Sequence, residues 1–451
     1  MPLKAPAGTE DLLPEQIPAW RRVEAAARDV LERFGYREIR TPIFEYTGLF
    51  ARSIGDATDI VEKEMYTIPR STAHGARGGG GGGDETADDE DTLTLRPELT
   101  ASVVRAYLEH GMHKSRPFQK FYYLGPLFRR ERPQKGRLRQ FHQVGIEAIG
   151  SRDPLMDVET IEVFVRFLEA AGVTGATVHL NSTGCRECRG PYRERLGAHL
   201  RGHAETLCEN CRRRLDRNVF RVLDCKVKSC QPAIAEAPPI AEHLCPACAA
   251  HFAAVRAGLE SIRLPYAVTP RLVRGLDYYT KTVYEVTSPN LGAQSAVGGG
   301  GRYDDLVAEL GGPPTGAVGF AIGLERILLA RQTARTDTGP GEPPAPAVSD
   351  VYVVAVEEAQ RAAAFRLLSG VRAAGLRADM DYDARSLKGQ MRSAGRAGAR
   401  VVFILGPAEA ASGTVQIKDM ARGEQHEVPA ASAHDEAKRI LGPVAPAPGP
   451  R

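Results

Sequence analysis

Six cations fall within eleven residues of this chain: Arg129, Arg130, Arg132, Lys135, Arg137 and Arg139, in the stretch FRRERPQKGRLRQ. The flanks alternate, with Tyr123, Gly125 and Leu127 leaning one way before it and Phe141, Gln143 and Gly145 after it, the period-two mark of strands. A solvated basic turn is the commoner meaning of such a loop, but it does not need this density, nor charge that begins in a strand at Arg129. Guanidinium groups on a rigid base bind phosphate oxygens in pairs, so the stretch suits a polyanion held at its phosphates. The second chemistry-bearing set is sulfur. Cys185-x2-Cys188 and Cys208-x2-Cys211 stand 19 residues apart, and Cys225-x4-Cys230 and Cys245-x2-Cys248 complete all eight cysteines. Eight thiolates suffice for two tetrahedral zinc sites of four ligands each. In a reducing compartment disulfides are disfavoured, which leaves zinc or plain thiols as the alternatives. Zinc would need the four sulfurs of a site at ~2.3 Å from one point and under ~4 Å from each other.

Other elements must position these groups. The basic stretch reads as a hairpin of strands FYYLGPLFRRE and LRQFHQVGIE. Upstream, residues 17–34 form an amphipathic helix with Trp20, Val23, Ala27, Val30, Leu31 and Phe34 on one stripe and Gly35 as its stop. A strand, YREIRTPIFEY, follows, and its Pro42 belongs on an edge or an interface. KEMYTIP and TLTLR read as strands around an enlarged tip at 70–92, whose glycine run and acidic cluster cannot bury apolar surface. That run lacks the spacing of a phosphate-binding loop. TLRPELTASVVRAYLEHG is a strand turning into a helix, with Pro97 in the first turn and Glu98 and Thr100 at the N-terminus. An isolated glutamate there usually does no more than complement the helix dipole. A further helix starts at the cap Asp153 and stops at Gly172, with a core face at positions 155, 158, 161, 164 and 168.

With 59 Lys+Arg against 56 Asp+Glu, the net charge is only +3, so any nucleic-acid contact is local. No run of 18 apolar residues occurs, and MPLKAPAGTEDLLPEQ lacks the apolar segment of a signal peptide; the expectation is a cytoplasmic chain with no membrane contact. Length allows two or three domains. Arg-rich helices occupy the cysteine region, and exposed helix faces are the usual meaning of such charge. Residues 334–349, ARTDTGPGEPPAPAVS, read as a linker. Beyond it, VYVVAV, LRADMD, RVVFILG and TVQIKDM alternate with helices near 358–374 and 386–398, the pattern of a small α/β domain with a largely parallel sheet. The tail, PVAPAPGPR, has the composition of a disordered end.

Several stretches resemble the class II aminoacyl-tRNA synthetases, and histidyl-tRNA synthetases in particular. FRRERPQKGRLRQFHQ is similar to motif 2, FGYREIRTPIFE to motif 1 and GAVGFAIGLERILLA to motif 3, while RGLDYY is the most family-specific hexapeptide. The resemblance implies that Arg129 and Arg274 hold the ATP α-phosphate and serve catalysis. It puts Arg137 on the γ-phosphate, Phe141 on adenine and Arg326 against both. Glu98 and Thr100 in TLRPELT, Gln143, Glu147, Tyr278, Tyr279 and Tyr303 would bind histidine, with Glu98 facing its α-amino group. Here Leu99 stands where the family more often has Gly, and Asn218-Val219-Phe220 where it more often has Asn-Pro-Leu.

The fold implied is α+β: a catalytic domain on an antiparallel sheet (1–180 and 267–332), a cysteine-rich helical insertion (181–266) lying over the acceptor end of tRNA, a linker (333–349) and a C-terminal α/β anticodon-binding domain (350–440). ATP, Mg²⁺, L-histidine, the histidine tRNA and a second copy of the chain, through motif 1, are the implied cofactors and partners; zinc is an open addition. The alternative function is that of the inert histidine-sensing regulatory subunit of ATP phosphoribosyltransferase. That relative lacks the anticodon domain and the ATP-binding arginines, and this chain has both.

Overall fold

The computed structural model describes residues 3–55, 58, 60–68, 92–134, 136–292, 295–336, 349–383 and 385–442. Lys135, the glycine-rich tip, most of the linker and the Pro-rich tail lie outside them. The chain divides into two compact units, residues 1–341 and 342–451.

In the first unit the strands run β1 (Arg37–Glu38), β2 (Phe44–Tyr46), β3 (Tyr66–Ile68), β4 (Leu93–Leu95), β5 (Gln119–Phe128), β6 (Gln140–Ile149), β7 (Thr177–Ser182), β8 (Ala267–Val268), β9 (Thr280–Thr287), β10 (Ala296–Arg302) and β11 (Ala317–Gly323). Eight of them form one sheet in the order β1-β5-β6-β11-β10-β9-β7-β8. Every pairing is antiparallel except the outermost on each side, β1 with β5 and β7 with β8. Helices Ile17–Arg33, Pro154–Ala170, Pro246–Ser261 and Leu324–Thr336 cover one face and share a core that includes Trp20, Phe164, Phe252 and Ile327. The helix Thr100–Glu109 contributes Val103, Val104 and Tyr107 to a second core with Tyr123, Tyr278 and Tyr303.

Several local expectations shift. YREIRTPIFEY is not one strand: β1 pairs with β5, while β2 joins β3 and β4 in a separate three-stranded sheet. Between them the carbonyls of Thr41 and Pro42 turn to buried Arg96, whose Nη1 donates to them at 2.9 and 3.2 Å. β5 ends at Phe128, one residue before the first cation, yet the Arg129 N–H still donates to the Arg139 carbonyl at 2.9 Å. Pro97 precedes the helix rather than opening it, because the helix begins at Thr100. Leu155 is 61% exposed: in the first turn of its helix it is Met156, not Leu155, that joins the core burying Val158, Ile161, Phe164 and Leu168.

The cysteine-rich segment is smaller than 181–266. β7 holds its start in the sheet, and Phe252, Val255 and Leu259 of its last helix belong to the main core. A separate small core remains, built on Tyr192, Leu196, Val219, Val222 and Ile240.

In the second unit β12 (Val351–Ala355), β13 (Ala378–Met380), β14 (Val401–Leu405), β15 (Thr414–Asp419) and β16 (Gln425–Pro429) form a sheet in the order β13-β12-β14-β15-β16. The pairings at β12 are parallel and the last two antiparallel, so the sheet is mixed rather than largely parallel. The reason is the link from β14 to β15, which spends its residues on the short helix Pro407–Ser412 and the left-handed Gly413 (φ +71°). A parallel crossover needs about a dozen residues or more.

Candidate active site

Strand register assembles the site. Side chains two residues apart on a strand share a face. One cross-strand row runs Phe121–Glu147–Gly319–Gly301–Val283, and the next on the same face runs Tyr123–Gly145–Ala321–Gly299–Glu285. A third, further along β6, pairs Gly125 and Gly323 with Gln143. Phe141 follows two residues on, opposite Leu127. From Glu147 to Phe141 the strand rises roughly 20 Å at about 3.4 Å per residue, enough for an extended ligand lying along β6.

The Glu147 end is enclosed. Glu147 is fully buried; Thr100 Oγ1 donates to its Oε1 at 2.7 Å, Tyr123 OH to the same oxygen at 3.3 Å, and Tyr303 OH to Oε2. Burial pushes its pKa up to about 8, against the pull of those hydroxyls. Opposite it, Gly319 has no room for a methyl group, which would collide with the carboxylate. Glu98 is also buried, and its oxygens accept from the backbone N–H groups of Thr100 (2.6 Å) and Ala101 (2.9 Å), capping the helix. Burial raises its pKa as well, with the two N–H donors opposing. The tyrosines close the walls: the rings of Tyr278 and Tyr279 lie 4.8 Å apart and those of Tyr278 and Tyr303 5.6 Å apart.

The other end is cationic. Arg129 Nε donates to the Pro97 carbonyl at 2.8 Å, and its guanidinium lies 5.3 Å from the centre of the Phe141 ring. Arg274 lies over Gly299, where an added methyl would stand 2.9 Å from its guanidinium carbon. Its Nη1 pairs with Glu285 at 2.7 Å, while its Nε is buried with no hydrogen-bond partner among the described residues. Arg326 opens the helix after β11, its Nε donating to Ala296 O at 2.5 Å and its Nη1 to Gly136 O at 3.4 Å. Its pKa is lowered by burial first and by the neighbouring Arg137 second. Arg137 is half-exposed and meets Glu131 at 3.4 Å.

All twelve candidate residues therefore line one face and its rims, with Gln143 half-buried midway. Sequence reasoning did not single out the braces of RGLDYY. Arg189 Nη1 donates to the carbonyls of Asp277 (3.3 Å) and Tyr279 (3.2 Å). Asn218 Nδ2 donates to both Asp277 carboxylate oxygens, at 3.0 and 2.9 Å, and Arg221 Nη1 to the Arg274 carbonyl at 3.3 Å. These residues sit in an Arg-rich run whose spacing does not separate them from solvated neighbours. Tyr123 was legible only as one member of an alternation.

Sheet, register and cation end together are those of a class II aminoacyl-tRNA synthetase catalytic domain. A family model described as histidyl-tRNA synthetase matches residues 85–327, and one described as anticodon binding domain matches 350–440. The chain is 49% identical over 435 residues to the histidine–tRNA ligase of Moorella thermoacetica, covering 96% of this chain and 98% of that one. It is 47% identical to the ligase of Natranaerobius thermophilus, over 97% and 99% of the two chains. The solved apo histidyl-tRNA synthetase of S. aureus superposes with a TM-score of 0.75 at 34% identity, covering 97% of this chain and all of that one. The chain belongs to the histidyl-tRNA synthetase family.

Proposed function

We infer that this chain ligates L-histidine to its cognate tRNA in two steps. A carboxylate oxygen of histidine attacks the α-phosphorus of ATP, and the bond to the bridging oxygen breaks, giving histidyl-adenylate and pyrophosphate. A hydroxyl of the tRNA's 3′-terminal ribose then takes the histidyl group and AMP leaves. No protein nucleophile is required; positioning and charge stabilisation do the chemistry.

In this reading Glu98 receives the α-ammonium group, since each of its oxygens keeps a lone pair beyond the one used by the helix. Glu147, Gln143, Thr100 and the three tyrosines enclose the imidazole. Arg129 and Arg274 meet the α-phosphate, Arg137 and Arg326 the γ-phosphate, and Phe141 stacks on adenine. The orphaned Nε of Arg274 over Gly299 is the observation that carries the assignment: a buried, preorganised donor suits an oxygen that the ligand brings. The site fits Mg²⁺ as a companion of the nucleotide. Glu131 and Glu285, both near Arg326, could offer it oxygen once phosphates take over Arg137 and Arg274. Bound there, Mg²⁺ offsets charge on the phosphates.

Histidine-dependent ATP–pyrophosphate exchange tests the first step, and its absence in the folded protein would favour the regulatory-subunit alternative. A chain truncated at residue 341 keeps the first compact unit. It should retain exchange and charge tRNA poorly; unimpaired charging would contradict an anticodon role for the second unit. Among the described residues no helix is long and apolar enough to cross a membrane. The exposed Phe44 (52%) and Tyr46 (59%) on β2 suit a homodimer interface, so Phe44→Glu should lower the mass measured by light scattering.

A further inference from the structure

The eight cysteines have no role in the reaction above, and the fold sorts all of them into two groups. Cys185, Cys188, Cys245 and Cys248 form one quartet, and Cys208, Cys211, Cys225 and Cys230 the other; within each, the sulfurs all lie within 4.8 Å of one another. None is in a disulfide. Cys185 Sγ stands 3.7 Å from Cys188 Sγ and 3.9 Å from Cys245 Sγ, and Cys208 Sγ 3.9 Å from Cys225 Sγ. These separations far exceed the ~2.05 Å of a disulfide bond. They match the edge of about 3.8 Å in a tetrahedron of sulfurs around a centre at 2.3 Å. Thiols buried merely as small hydrophobes have no reason to converge in fours with none left over.

The backbone around them favours thiolates. Cys185, Cys208 and Cys245 each stand at the N-cap of a helix, with Cys188, Cys211 and Cys248 in its first turn. Free N–H groups and the positive dipole end there stabilise negative sulfur. Further N–H groups point at sulfur: Cys245 N at Cys188 Sγ (3.0 Å), Cys208 N at Cys230 Sγ (3.1 Å) and Val227 N at Cys225 Sγ (3.4 Å). Each quartet has two buried and two half-buried members, and four protein ligands leave no position for substrate, which is the make-up of a structural site.

We propose that each quartet is a structural tetrathiolate Zn²⁺ site, so that the chain carries two zinc ions. Soft thiolate ligands in tetrahedral array select zinc over Mg²⁺ or Ca²⁺. On binding, four S–H protons leave to solvent and four Zn–S bonds form, with no change of oxidation state. The first ion clamps the start of the insertion to its end, beside Arg189. The second brackets residues 218–221, which carry Asn218 and Arg221. All three of these side chains hold the 274–279 segment, and the insertion's own core is small, so metal closure supplies rigidity that packing alone provides weakly at this size.

Elemental analysis of the full-length chain, purified under reducing conditions without added metal, should find two zinc ions per chain and no iron. Cobalt substituted during growth should give the ligand-field bands of a tetrahedral tetrathiolate. Cys208→Ser with Cys225→Ser should lose one equivalent and keep the other, and Cys185→Ser with Cys245→Ser should do the reverse. Should either variant fail to fold, a mercurial titration of the wild-type chain still decides, because displaced thiolates should release two zinc ions to a colorimetric chelator. Fewer than two zinc ions, an iron–sulfur chromophore, disulfides, or eight reactive thiols in folded metal-free protein would each overturn the proposal.

Discussion

The two ends of the catalytic face are built on opposite plans. At the Glu147 end, buried carboxylates are each satisfied by protein donors, and every donor is fixed by strand register or by the start of one helix. At the Arg274 end the charges arrive on loops and a helix start, two guanidinium groups disfavour one another, and the buried Arg274 Nε has no hydrogen-bond partner among the described residues. Under the proposed assignment the contrast is a division of labour: a preformed pocket for the small substrate, and an arrangement whose electrostatics close only around a polyanion. Removing a group should therefore damage different kinetic quantities at the two ends.

The largest effect is expected at the cation end. Arg274→Ala should slow pyrophosphate exchange by at least ~100-fold, the scale for one preorganised charge-stabilising donor, with melting temperature little changed. Near-normal exchange in a folded variant would remove Arg274 from the mechanism. At the other end, Glu147→Ala leaves the Thr100 and Tyr303 hydroxyls without their acceptor. The expected outcome is a rise of about 10- to 100-fold in KM for histidine, from an unmade buried hydrogen bond of ~1–3 kcal/mol, with KM for ATP nearly constant. Equal rises for both substrates would argue for a structural role and dissolve the contrast.

Gly299→Ala sharpens it further. The new methyl group would sit 2.5 Å from the Tyr284 carbonyl oxygen of β9 and 2.9 Å from the Arg274 guanidinium carbon, so the strand pair gives locally and the guanidinium is displaced without losing its charge. Exchange should slow roughly tenfold, as misplaced catalytic groups do, while KM for histidine holds. A change confined to histidine KM would show that the two ends are mechanically coupled.

The smallest effect is a pH dependence of stability. Glu147 has a folded pKa of about 8, raised by burial from the ordinary 4.5. Between those values the folded state holds a proton that the unfolded chain releases. Its contribution to stability is thus full below the lower value and lost as pH rises through the upper one. In ligand-free protein, melting temperature should fall from pH 6 to pH 9, and Glu147→Gln should flatten part of that fall. Glu98, shifted in the same direction, leaves a residual slope. An unchanged profile in Glu147→Gln would mean that Glu147 stays ionised in the folded state.

Much of this was legible in the chain. The hairpin flanks, the helix between Asp153 and Gly172, and the apolar stripe of residues 17–34 all appear where alternation, caps and periodicity put them. The break after Ile39 was not, because β1 and β2 differ in their partners rather than in their own residues. Nor was the mixed C-terminal sheet, since strand direction depends on the length of the link between strands. Arg96 and Arg189 read as ordinary cations in sequence, and only their burial against backbone carbonyls distinguishes them.

By itself the sequence determined what neighbours along the chain decide: element type, helix caps, the cation density at 129–139, the four cysteine pairs, and the motifs that mark the family. These follow from hydrogen bonds and side-chain periodicities that span a few residues. Only tertiary structure decided the company that Glu147 keeps, with Tyr303 reaching it across 156 positions of sequence. It also decided that Cys185 meets Cys245, 60 positions on, and not the nearer Cys208 pair. Such contacts depend on sheet register and helix placement, which are set by the burial of a whole core and leave no periodic trace in the residues they bring together.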